Sequence, residues 1–488
     1  MTGGKRRREH GSSDGRSGRE PTDERSGDKA STESGRRGFL ARAAAATGSV
    51  GALGALAGCG GLSSDGEEPA IPPDLRAPEG PFESVPSPFD SVADLTEFGL
   101  DASGGGSLAA AVADAAVDGR LLYLPPGRYP LQEALNLSGV GRFGLVGNDA
   151  TVAARPESTE TLFFVESGDD DGSVFLDSLR FDVGADAVTS RVIDARARDR
   201  LGIRDVSVEG RFDGGRGAVR VDVTDPNGSG VVSGLSLRDG AIADSTATGC
   251  YVGDQHRGSV AFNDCRIEGF PDNGLYAAPE RGQVVVEGGY YANNGVANVR
   301  VRNGSVVRGV RVRCDVGDRE LENMRGIRLS NDAPTADAEP TVVEDVVVEM
   351  VDVTGSDGAI TLGEEVAAAE IRNATVVVHA DDVHALWAKT PHESLQAAGA
   401  SSLRCEGVTV TGGAAEGVAV QIDDRDGSVL TDIDVTQPGA ERNGIEFKRS
   451  HDNTLRDARI AVGGEAIVLD EATVDTRNVE RNPPSEEA

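Results

Sequence analysis

From about residue 174 onward, apolar and polar positions alternate in short runs that keep returning. One run recurs as FLDSLRFDV, IRDVSVEG, VSGLSLRDG, FNDCRIEGF, VRGVRVRC, VEDVVVEM, IRNATVVVH, LRCEGVTV, LTDIDVTQ and LRDARIAV. A period of two is the mark of a half-buried strand. Its anchors Leu179, Val206, Leu235, Cys265, Val310, Val346, Val408, Ile433 and Ala458 are expected to point inward. A second run follows each, as GLYA at 274, GVANVRV at 295, GIRLSN at 326, GAITLGE at 358, HALWAKT at 384, GVAVQIDD at 417, GIEFKRS at 444 and EAIVLDE at 465. Each opens on Gly or a polar turn residue and then alternates.

No helix-length pattern separates these runs, which excludes crossover helices and with them the Rossmann and barrel folds. A sandwich would not repeat two strand types every ~25–30 residues. The pattern predicts an all-β chain, a single-stranded right-handed parallel β-helix of about 11–13 coils. At ~4.8 Å per coil such a solenoid is roughly 55–60 Å long and buries one continuous core.

The start of the solenoid reads differently. Ser107 precedes LAAAVADAAVDG, whose apolar spacing is helical, with Ser107 as N-cap and Gly119 as the stop. This Ser107–Val117 helix is expected to cap the open N-terminal end. YLPPGRY and FGLVGNDATV follow. Over roughly residues 95–152 the arrangement resembles the opening of pectate-lyase-superfamily parallel β-helix proteins. The expected organisation is a cap and first coils at 89–152, the β-helix at 153–479 and a disordered tail at 480–488.

Residues 1–42 hold eleven Lys/Arg and seven Asp/Glu with no apolar periodicity, a composition that stays disordered. They end in Gly35-Arg36-Arg37-Gly38-Phe39-Leu40, before an Ala/Gly-rich apolar run from Ala43 to Ala57 that is too short to span a membrane. Arg36 and Arg37, Phe-Leu, a weak apolar region and Leu56-Ala57-Gly58-Cys59 closely resemble a twin-arginine export signal with a lipobox, Gly35 standing where Ser or Thr is preferred. The resemblance implies residues 1–58 as leader, export of a folded chain, and Cys59 as the lipidated first residue at the outer face of the cell membrane. One lipid is a marginal anchor, so retention calls for a second attachment. Residues 59–88, rich in Gly, Pro and acid, read as a tether. Sequons at Asn136, Asn227, Asn303 and Asn373 fit an exported chain.

Composition then bears on partners. The 488 residues carry 48 Lys+Arg against 81 Asp+Glu, a formal net charge of −33. So acidic a surface repels phosphate and argues against nucleic acid as partner. Only four cations are lysine: Lys5, Lys29, Lys389 and Lys448. An acidic, Arg-for-Lys surface resembles proteins of salt-loving archaea, where salt screens the self-repulsion. The charge then reports on solvent more than on ligand. With five Cys, a disulfide-stapled mini-scaffold is excluded. Cys265 and Cys314 fall on inward positions and read as core, Cys250 and Cys405 follow turns, and no pairing is specified. No CxxC or HxxxH spacing suggests zinc, and GGGSL lacks the P-loop lysine.

Aligning the second runs by their opening turn places Ile327, Ile360, Leu386, Val418, Ile445 and Ile467 inward, with Leu329, Leu362, Ala388, Val420, Phe447 and Leu469 two residues later. The alternate positions then face out: Arg328/Ser330, Thr361/Gly363, Trp387/Lys389, Ala419/Gln421, Glu446/Lys448 and Val468/Asp470. On this register the only Trp and both lysines beyond the leader share one face, with Lys389 and Lys448 two coils apart. Asp423, Asp424 and Arg425 end the intervening strand; Arg449 and His451 end the next. Residues 389–402, with His392, form the longest non-strand insertion nearby.

Such a face suits an acidic glycan: lysines neutralise carboxylate or sulfate, Trp387 stacks on a sugar ring, and Arg328, Gln421, Glu446 and His451 bind beside them. Resemblance to the pectate-lyase superfamily implies cleavage or epimerisation of polysaccharide, with Lys389 or Lys448 as the base of a β-elimination and Asp423 and Asp424 as Ca²⁺ ligands. The Asn-Thr-Asp, Asp-Asp, Gly-His-Gly set of polygalacturonases is absent, as is a recognisable arginine-centred pectate-lyase motif. Two readings stay open: a polysaccharide lyase or glycoside-hydrolase-like enzyme, and a non-catalytic adhesive or structural rod of the cell envelope.

Overall fold

A computed structural model describes residues 89–482, apart from 102, 104, 155–160, 169–170, 185–190, 213–214, 243–244, 317–322, 332, 337 and 400. The leader with Arg36, Arg37 and Cys59, the tether and the last six residues lie outside the described residues. The described chain is an all-β parallel β-solenoid of about thirteen turns with few helices, as the alternation predicts.

Among the described residues every strand pairing is parallel, and each strand inside a ladder bonds to the strand one coil before and one coil after. A 13-stranded sheet begins at Leu135–Val140 and ends at Ile467–Asp470. A 23-stranded sheet bends into two further ladders, because long strands such as Arg142–Ala154 pair with Arg120–Leu124 through one half and with Gly127–Leu131 through the other. Each coil thus carries three strand positions, not the two read from the alternation. The recurring run is itself two strands joined at a corner.

The corner has a local cause. Asp205, Asp264, Asp345, Asn373 and Asp457 sit there at φ of 49 to 55°, and Gly288 and Gly309 occupy the same place at φ 64 and 65°. Left-handed backbone is open to Gly and tolerated by Asp and Asn, whose short side chains bond locally. Neighbouring corners also bond: Asn373 Nδ2 donates to Asp345 Oδ1 at 3.1 Å, and Asn478 Nδ2 to Asp457 Oδ1 at 2.8 Å.

The predicted anchors, Leu179 through Ala458, are all buried in one core running the length of the stack. In the coil that the pattern skips, Gly289 takes the anchor slot and Tyr291, fully buried, fills the space beside it. Helix α1 (Leu108–Ala115) is capped by Ser107, whose Oγ accepts from Ala110 N–H at 3.2 Å. It buries Leu108, Ala111, Val112 and Ala115 over the first coil. It stops at Ala115, before the predicted Gly119, which turns at φ 72° into the strand Arg120–Leu124. Cys250, Cys265, Cys314 and Cys405 are all buried free thiols, and burial pushes Cys265 and Cys405 up to about 12. Asn303, one of the sequons, is buried.

Two arginines lie wholly inside. Arg425 donates to the carbonyls of Lys389, Gly363, Val366 and Ala367, and Arg442 to Gln437 Oε1 and the carbonyls of Glu416 and Val383. Each reaches two coils back, and burial pushes each guanidinium down to about 10. These are coil-to-coil staples.

Candidate functional site

The 13-stranded ladder carries the expected face. Along its strands alternate side chains must leave the core, and the register stacks them into a column. Phe164, Asp194 and Arg220 stand on successive coils, then Tyr251, Tyr276 and Arg300. Arg328, Thr361, Trp387, Gln421 and Glu446 continue it. Eight coil steps separate Phe164 from Trp387, about 38 Å at the strand spacing.

In the first half of the column, aromatic rings and guanidiniums interleave. The Arg196 guanidinium lies 5.0 Å from the Phe164 ring centre, Arg220 5.8 Å from Tyr251, and Arg300 4.3 Å from Tyr276. Tyr251 and Tyr276 meet edge to face at 5.4 Å. Acids neutralise most of these cations. Asp194 takes Arg191 and Arg196 at 2.8 Å each, and Arg220 bonds Asp222 at 2.7 Å and Asp254 at 2.5 Å. Burial still outweighs Arg220 at Asp222 and raises its carboxyl.

The second half holds the residues the alternation singled out, with one change of register. Val420, not Val418, faces Leu386 and Ile445. Gln421 therefore stands between Trp387 and Glu446. Asp423 faces Lys448 directly and falls on the Lys389 side of the ladder, one residue beyond the Ala388–Ile422 pair. Ala419, expected to face out, is buried. The column of like charge becomes Lys, Asp, Lys.

Each of these groups has a partner. Lys389 Nζ donates to Asp357 Oδ2 at 2.6 Å and lies 4.5 Å from the Trp387 ring centre. Asp357 also accepts from Arg325 Nε at 2.7 Å. Its carboxyl is held below the usual range against burial, by Lys389 and Arg325 together. Trp387 Nε1 donates to Asp423 Oδ2 at 2.9 Å, and Gln421 Nε2 to Asp423 Oδ1 at 3.0 Å. The His384 ring lies 4.9 Å from the indole. Lys448 pairs loosely with Asp470 at 3.7 Å. Burial, with Asp423 and Asp470 adding, outweighs Lys448 and raises the Glu446 carboxyl.

Asp423 and Asp424 turn to different partners: Asp424 takes Arg449 at 2.6 Å and Thr390 Oγ1 at 2.7 Å. Among the described residues no group of three or more His, Cys, Asp or Glu side chains gathers as metal ligands do. His451 lies beyond the strand in an exposed turn, its N–H donating to Asp426. The 389–402 insertion holds a short helix, α2 (Glu393–Ala397), with His392 at its N-terminus and Leu395 buried.

Arg328 differs from its neighbours. It is half-buried in the column, and no ion pair or hydrogen bond joins it to another described residue. Burial, with Arg300 and Arg325 nearby, pushes its guanidinium down to about 10.

Sequence reasoning missed Phe164, Arg220, Tyr251, Tyr276, Arg300 and Asp357. Carrying the same inside–outside alternation through GLYA and GVANVRV would have found Tyr276 and Arg300. Asp357 lies in a turn before the strand Ile360–Leu362 and leaves no periodic signal.

No family model and no curated protein matches the chain. Among solved structures it is similar to the A-module of the Azotobacter vinelandii mannuronan C-5 epimerase AlgE6, at 14% identity and TM-score 0.39, over 80% of this chain and 100% of that one. It is similar to PfbA, a surface adhesin of Streptococcus pneumoniae, at 10% identity and TM-score 0.34, over 82% of this chain and 96% of that one. The catalytic unit of the GH87 alpha-1,3-glucanase from Streptomyces thermodiastaticus aligns at 12% identity and TM-score 0.24, over 79% of this chain and 68% of that one.

Proposed function

We propose that this protein is an exported, lipid-anchored surface solenoid that binds an extended acidic polysaccharide along the outward column of its 13-stranded ladder. The observation that carries the reading is the succession of aromatic and cationic side chains from Phe164 to Trp387, one per coil and interrupted only at Asp194 and Thr361. Rings offer sugars an apolar face, guanidiniums take acidic substituents, and coil stacking spaces both evenly. Binding without cleavage is the reading favoured here, because a base needs a free lone pair and Lys389 donates its ammonium to Asp357.

Calorimetric titration with a polyuronate, a sulfated glycan and a neutral glycan tests it. Tight binding of an acidic glycan, weakened about tenfold by Tyr276→Ala, is expected. Failure of every acidic glycan to bind overturns it, and new ultraviolet absorbance from unsaturated uronides would make the protein a lyase. Anchoring is checked separately: Cys59→Ser releases the protein from the membrane fraction, and Arg36→Lys/Arg37→Lys retains it inside the cell.

A further inference from the structure

Within that column the charges are unevenly matched. Arg220 is paired with Asp222 and Asp254, and Lys389 and Arg325 share Asp357. Arg328 is left with no acid within ion-pair distance among the described residues, although acids outnumber cations in the chain. Glu365 and Asp357 attract it only from farther off, while Arg300 on the preceding coil and Arg325 repel it. Like charges gathered in a partly desolvated place are unfavourable unless an anion joins them.

The next coil supplies a second, independent sign. Thr361 faces Arg328 in register and is 1% exposed, yet its Oγ1 has no hydrogen-bond partner. A buried hydroxyl left unbonded costs free energy that an incoming acceptor recovers. In register Thr361 lies between two long side chains, Arg328 and Trp387. A guanidinium offers paired N–H donors to a planar or tetrahedral oxyanion, and a hydroxyl adds a third donor.

We propose that Arg328 and Thr361 form an oxyanion subsite that seats one carboxylate or sulfate substituent of a glycan lying along the column. The subsite rests on the polysaccharide-binding reading for its ligand but not for its donors, so the two can fail separately. Contact donors keep their value in concentrated salt, where screening shortens electrostatic reach to about 3 Å at 1 M.

The test is calorimetry in 1 M KCl with an oligouronate, a sulfated oligosaccharide and a neutral oligosaccharide, alongside thermal shift with inorganic sulfate. Arg328→Ala is expected to lower affinity for one acidic oligosaccharide at least tenfold, Thr361→Val about threefold, and Arg328→Lys to restore only part of the loss. The preferred arm, uronate or sulfate, names the substituent. Inorganic sulfate is expected to raise the wild-type Tm and not that of Arg328→Ala. If acidic oligosaccharides bind and Arg328→Ala binds them equally, the subsite is overturned and the polysaccharide reading stands. If none binds but sulfate stabilises through Arg328, the polysaccharide reading fails and the subsite stands. Arg328-independence in both assays, with wild-type-like circular dichroism, removes it.

Discussion

Trp387 Nε1 donates to Asp423 Oδ2 at 2.9 Å, tying neighbouring coils through residues 36 positions apart. The carboxylate that holds the indole also accepts from Gln421 and stands directly opposite Lys448. Asp423 thus fixes the one tryptophan of the chain between charges of both signs.

Asp423→Ala should leave the indole N–H and the Gln421 amide unpaired and cost about 1–3 kcal/mol. As the chain holds a single tryptophan, its emission reports the site directly. A shifted emission maximum and lower anisotropy are expected, with a lower urea midpoint. An unchanged spectrum would mean that Lys389 and His384 packing alone hold the ring.

The lysines should matter less than their isolation in the sequence suggests. Lys389 is already committed to Asp357, and Lys448 faces Asp423 and Asp470. Lys389→Ala/Lys448→Ala is expected to weaken acidic-glycan binding about threefold or less, well short of Arg328→Ala. Equal losses in the calorimeter would restore the lysines to the centre of the site.

His256 should make the fold sensitive to acid. It is fully buried, its Nδ1 accepting from Val223 N–H at 3.2 Å. Burial, reinforced by Arg257 and Arg302, pushes it down to about 4. The neutral ring is favoured on folding, so its contribution is complete above the ordinary value near 6.5 and is lost as pH falls from there toward 4. The full loss is about 3 kcal/mol. His256→Gln should flatten the Tm-versus-pH curve over that window; parallel curves would refute the assignment.

Two left-handed glycines, Gly288 at a corner and Gly427 in the turn before the strand Val429–Gln437, predict different costs. Gly427, at φ 68° with open space around it, should lose only the backbone cost of about 1–2 kcal/mol on change to Ala. Gly288, at φ 64°, would also drive its new methyl against Asp264 Oδ1, and Gly288→Ala should cost more. Removing that side chain in Gly288→Ala/Asp264→Gly should recover the difference in denaturant midpoint; no recovery would place the strain elsewhere.

Much of the fold was legible because a solenoid writes its geometry locally. Side-chain alternation has a period of two wherever one face is buried, so Leu235, Val310 and Ile433 declared themselves inward. The third strand position was not read, because the Asp, Asn or Gly at each corner sits inside an alternating run without breaking it. Gly289 and Tyr291 hid a coil by exchanging the large residue between neighbouring core slots. At the site, Trp387, Gln421 and Arg328 were visible as outward positions, whereas Asp357 and Tyr251 were not, lying in a turn and in a strand too short to show a period.

The amino-acid sequence by itself determined the parallel coil stack, the inward anchors and which face of the last coils carries Trp387 and both lysines, since these follow from spacing between near neighbours. The tertiary structure alone decided what those groups do to one another. A two-residue shift at Val420 put Asp423 between the lysines, Asp357 claimed Lys389 from another coil, and Arg328 remained without an ion-pair partner among the described residues. Pairing across coils depends on register and turn geometry over some 30 residues, and no local pattern encodes either.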